Sequence, residues 1–153
     1  MHDGLFLPEA SWIALLSIAH RYDFQNVRAR AIREIYGSLR QWDMAQPGPD
    51  SDSEICPAPT PAPTIPDPNH LTLISTAEKY DVPLRQVFPS FVGLVMREEP
   101  LTVVEITRLS TLTVHRLARA REDYLRRTTR MADLDTRRVA KEIVRDIWPA
   151  TKK

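Results

Sequence analysis

A single cysteine, Cys56, excludes an intrachain disulfide, and its place in a proline-rich stretch offers no thiol cluster to a metal. That usage points to a reducing, intracellular compartment, cytoplasmic or nuclear. No apolar run approaches the ~18 residues of a membrane span. The start, MHDGLFLPEASW, has neither a basic n-region nor a long apolar h-region, so no secretory signal is expected and the chain reads as soluble. There are only four glycines, and none sits in a phosphate-cradling loop. A Gly-x-Ser-x-Gly elbow and a His-Glu-x-x-His pair are both missing. The histidines, His2, His20, His70 and His115, stand singly. Catalysis needs a nucleophile, a base and a charge stabiliser placed together, and no stretch supplies them. No catalytic, cofactor-binding or metal-binding residue is therefore assigned, and no cofactor is expected.

What the chain does have is proline, thirteen in 153 residues, most of them between Pro47 and Pro68. The segment from 43 to 68 carries almost no aliphatic mass to offset the entropy of ordering it, and reads as a disordered insertion. It contains one Pro-x-x-P, Pro63 to Pro66, which suits a spacer better than a docking ligand. Ser51, Ser53 and Thr60 are candidate kinase sites within it.

On either side of the insertion the apolar residues recur at helical spacing. Trp12, Leu15, Leu16 and Ala19 define a first helix opened by Pro8-Glu9. Val27, Ala31, Ile32 and Ile35 define a second, from about Asn26 to Tyr36, with Gly37 as its stop and Arg28, Arg30 and Arg33 facing outward. Asp67-Pro68 is expected to cap a third helix running to Tyr80. A fourth carries Leu84, Val87, Phe88, Phe91, Val92 and Val95; its apolar face is too wide for a wet surface, so it should be the central one. Pro89 should kink or split it. Thr102 and Glu105 form a capping-box pattern before a short fifth helix. A long sixth starts at Thr111 or Thr113, and Val139, Ile143 and Ile147 mark a seventh ended by Pro149.

The fold class is therefore all-α, an irregular bundle of six or seven helices. Four segments follow: 1–42, the first helical pair; 43–68, the linker; 69–132, a helical extension; and 133–153, a C-terminal amphipathic helix. The bundle is built on a duplication. Ala-x-[Arg/Lys]-Tyr-Asp-[Phe/Val] occurs at Ala19 to Phe24 and again at Ala77 to Val82. A tyrosine beside a carboxylate could move protons, but twice at matching positions it reads as a helix corner. There Asp23 and Asp81 would accept backbone amides while Tyr22 and Tyr80 pack their rings, with Pro83 restarting the second.

Charge is polarised. Before Val114 there are nine basic and fourteen acidic residues; after it there are twelve and six, a balance of −5 against +6. Arg116, Arg119, Arg126, Arg127 and Arg130 line one side of the sixth helix, a stripe that could steer an acidic partner. Nucleic acid is the weaker alternative, because Glu122 and Asp123 interrupt the stripe and no aromatic residue interleaves with it.

Trp12-Ile13 through Ala19, Phe24, Val27-Arg28 and Ala31-Ile32, then Ala77 through Pro83, Arg97-Glu98-Glu99-Pro100-Leu101-Thr102, Glu105, Leu109 and Arg121-Glu122 form a distinctive combination. Over about residues 9 to 122 the chain resembles the C-terminal helical half of fungal BTB/POZ domain-containing proteins, without the BTB core itself. The resemblance implies a non-catalytic protein-interaction module, a truncated scaffold or adaptor with a protein partner or a second copy of itself. Trp12 and Ile13 would then form an exposed apolar face, left open where the BTB core would lie.

Overall fold

The structure is a computed structural model and describes residues 7–45, 69–129 and 135–149, without the side chains of residues 38 and 40–45. Every element among the described residues is helical: α1 Glu9–Arg21, α2 Gln25–Ala45, α3 His70–Lys79, α4 Leu84–Met96, α5 Val103–Ile106, α6 Thr111–Thr128 and α7 Thr136–Ile147. The expected all-α bundle is observed. The proline-rich stretch from 46 to 68, with Cys56 and the candidate kinase sites, lies outside the described residues, as does Arg130.

Most helix starts have a local cause. Asn69 accepts from the Thr72 amide, Ser110 from that of Thr113, and Asp135 from those of Arg137 and Arg138. The capping box of α5 is complete: the Thr102 hydroxyl accepts from the Glu105 amide at 3.3 Å while Glu105 accepts from the Thr102 amide at 2.7 Å. α3 thus begins after Asn69, not at the expected Asp67-Pro68.

Two breaks read from the sequence are absent. α2 passes through Gly37, which lacks the positive φ of a helix-ending glycine, and fully buried Tyr36 and Leu39 bind both of its flanks to the core. Glycine ends a helix where it turns left-handed, and here it does not. Nor does Pro89 split α4. The ring is itself buried beside Val87, Phe91 and Val92, and this apolar packing holds one helix together across the missing amide.

α4 is the centre. It packs against α2, α3, α6 and α7, while α1 pairs with α2 and α7 with α6. One hydrophobic cluster joins these elements, from Trp12 and Leu16 through Ile74, Val92 and Val95 to Leu117, Ile143 and Val144. Trp148 closes it, with its ring 4.5 Å from that of Phe91. No helix among the described residues is long and apolar enough to cross a membrane.

Candidate functional site

The duplicated corners share a backbone and differ in surroundings. Asp23 (φ 55°) and Asp81 (φ 50°) are the only non-glycine residues with positive φ among the described residues. Behind each, the helix closes in the same way: the Phe24 amide donates to the Ala19 carbonyl at 2.9 Å and the Val82 amide to the Ala77 carbonyl at 3.0 Å. This is the 6→1 bond of a helix ending in a left-handed residue, a conformation aspartate tolerates better than most. The aspartates are therefore needed for their backbone more than as the expected amide acceptors. The Asp23 carboxylate accepts instead from the side-chain amide of Gln25.

Tyr80 is 6 % exposed, whereas Tyr22 is 60 % exposed and lies against Phe24. The Ser17 hydroxyl bonded to the Tyr80 phenol, helped by Lys79, pulls it below its ordinary pKa despite burial. A cation lies over each ring, Lys79 over Tyr80 at 5.2 Å and Arg21 over Tyr22 at 5.7 Å.

Arginines do much of the joining. Arg28, expected to face outward, reaches from α2 to the second corner and donates to the carbonyls of Tyr80 at 3.0 Å and Asp81 at 2.8 Å. Arg121 of α6 donates to the Leu94 carbonyl at 2.9 Å and the Glu98 carbonyl at 3.2 Å, capping the end of α4. Arg97 bonds Glu105 at 2.7 Å, which ties the Arg-Glu-Glu-Pro-Leu-Thr motif to α5. Backbone donation from Thr102 and the Arg97 guanidinium hold the Glu105 carboxyl down at about 2.

Trp12 is 8 % exposed and belongs to the core, and Ile13 is half-buried against it, so neither forms the open apolar face expected of them. Helix α1 turns Trp12 onto the same side as Leu16 and Ala19, and Arg30 covers its ring at 5.7 Å. The exposed apolar groups of the first pair are Ile18, Tyr22, Phe24 and Val27 at the corner.

The arginine stripe divides. Arg126 bonds Glu122 at 2.8 Å and Asp123 at 3.4 Å along its own helix. Arg116, Arg119 and Arg127 instead line one groove of about 540 Å³ between α6 and α7, together with Asp123 and, from α7, Asp146. Ile143, Ile147 and Pro149 form its other wall, and Leu112, 57 % exposed, stands at its end. Spacing alone separates the two sets: 112, 116, 119, 123 and 127 follow steps of three and four along one stripe, whereas 122 and 126 follow the next. The contribution of α7 depended on tertiary packing and had no local signal.

Among the described residues no group of His, Cys, Asp or Glu is arranged to hold a metal ion. Compared with protein-family models, with curated proteins and with solved structures, the chain matches none.

Proposed function

We propose that this chain is a non-catalytic protein-interaction module, a scaffold or adaptor of the kind its resemblance to fungal BTB/POZ proteins implies, working inside the cell in the cytoplasm or nucleus. The observation that carries the reading is the α6–α7 groove. Three arginines stand over an apolar wall, a combination that suits a partner helix with one apolar side and an acidic flank. From Leu112 to Arg127 the groove follows α6 for about 22 Å, some four helical turns.

Among the described residues no Phe, Tyr or Trp lines the groove, so bases would have no ring to stack on, and this favours protein over nucleic acid. Self-association through the same groove is a variant of this reading.

The test pairs cross-linking mass spectrometry in cells with light scattering on the purified chain. Partners, or a dimer, lost on the triple change Arg116→Glu, Arg119→Glu and Arg127→Glu but kept on Arg126→Glu support the groove. Equal loss in both variants, or binding of a DNA duplex that weakens steeply with salt, would replace it with general electrostatics or the nucleic-acid alternative.

A further inference from the structure

A second groove, sharing no residue with the first, runs between α2 and the start of α4 and encloses about 450 Å³. Its charged lining residues are Arg28, Arg33 and Arg85, with no carboxylate among them. The acidic side chains of the flanking corners, Asp23 and Asp81, are not part of the lining. Arg28 is committed through Nη2 to two neutral carbonyls, which fix the guanidinium in place without cancelling its charge. No ion pair ties up Arg33 or Arg85 among the described residues. The groove is therefore a built concentration of three positive charges, two of them available.

Its remaining features suit a peptide chain. Gln25 and Gln86 stand among the arginines and add polar, uncharged surface to the lining. Ala29 and Gly37 keep one wall low, and the direction in which a Gly37 side chain would project is open space. From Gln25 to Gly37 the helix advances about 18 Å, the reach of five or so residues of extended chain. No aromatic ring lines the groove, so bases would have nothing to stack on. Pro83 caps α4 without a side-chain acceptor, which leaves the positive end of that helix facing the same region.

We propose that this groove binds a short carboxylate-rich peptide segment of a partner protein in extended form, with Arg33 and Arg85 each taking a side-chain carboxylate over the fixed charge of Arg28. Arginine suits the task because its planar fork matches a carboxylate bidentately. The site does not depend on the α6–α7 reading, and either can fail alone.

The experiment is fluorescence polarisation with fluorescein-labelled hexaglutamate and the full chain at low salt. Binding should weaken with salt and fall by about tenfold or more in Arg33→Glu/Arg85→Glu, the loss expected when two charged hydrogen-bonding groups go. Gly37→Phe, which fills the low wall and leaves the charge unchanged, should weaken it as well, with an unaltered circular dichroism spectrum as the control for folding. Loss on Arg116→Glu/Arg119→Glu instead would move the peptide to the α6–α7 groove and overturn the proposal. So would tighter binding of a single-stranded oligonucleotide of equal charge, an unaffected Gly37→Phe variant, or no binding of hexaglutamate.

Discussion

Arg28 Nη2 lies 2.8 Å from the carbonyl oxygen of Asp81, a residue 53 positions further along the chain, and so one helical pair closes the corner of the other. Carbonyls at a helix end have no partner within the helix and are costly to leave unmet in a partly buried place. Arg28→Ala should therefore destabilise the protein by about 2 kcal/mol. Arg28→Lys should recover less than half of this, since an ammonium lacks the fork. Urea unfolding measures both, and a neutral Arg28→Ala would show the clamp to be energetically idle.

Glu105 gives the protein a pH-dependent fastening. Its carboxyl titrates at about 2 in the folded chain against an ordinary 4.5, so the folded state prefers the ionised form. The stabilisation is complete above about pH 5 and drains away as pH falls toward 2, where the folded group also takes up its proton. Glu105→Gln should be less stable than the parent at neutral pH, with the difference in melting temperature closing through that acid window. A constant difference across the window would remove the assignment.

Two glycines should respond with opposite signs to the same change. At Gly37 an added methyl meets nothing, and alanine should stabilise α2 by about 1 kcal/mol. At Gly93 the methyl would overlap the His70 ring at the start of α3, and relieving the clash should cost about 1–3 kcal/mol net of the propensity gain. Thermal melts of Gly37→Ala and Gly93→Ala side by side test the close approach of α3 and α4.

Trp12 is now a statement about the core. Trp12→Ala should cost about 3–5 kcal/mol, the range for a large buried aromatic, and Trp12→Asp should prevent folding at room temperature. A folded, soluble Trp12→Asp variant would restore the open face read from the sequence.

Periodicity alone carried the helical class, the central position of α4 and the capping box, because each depends on residues three or four apart. The pattern at Ala19 and Ala77 likewise foretold two matching corners. What escaped was set by distance in sequence. Arg28, Arg97 and Arg121 look like ordinary solvated charges until tertiary packing brings them to a carbonyl or carboxylate. Gly37 and Pro89 break helices by intrinsic preference, and burial of Leu39 and of Phe91 overrides it. The resemblance puts Trp12 at an interface, whereas its spacing to Leu16 and Ala19 puts it on the inner face. The two grooves needed neighbours from other helices, α7 for one and α4 for the other.

The two corners also have a history to reveal. Ile18, Tyr22 and Phe24 match Thr76, Tyr80 and Val82 position for position, yet the first three are exposed and the second three buried. In a saturation-mutagenesis library the later corner would tolerate few replacements, while the earlier one would accept polar residues freely wherever the host lacks a partner for it. A motif present twice would then be read by selection as two different things, and the copy that drifts or stays fixed would tell whether its surface is in use.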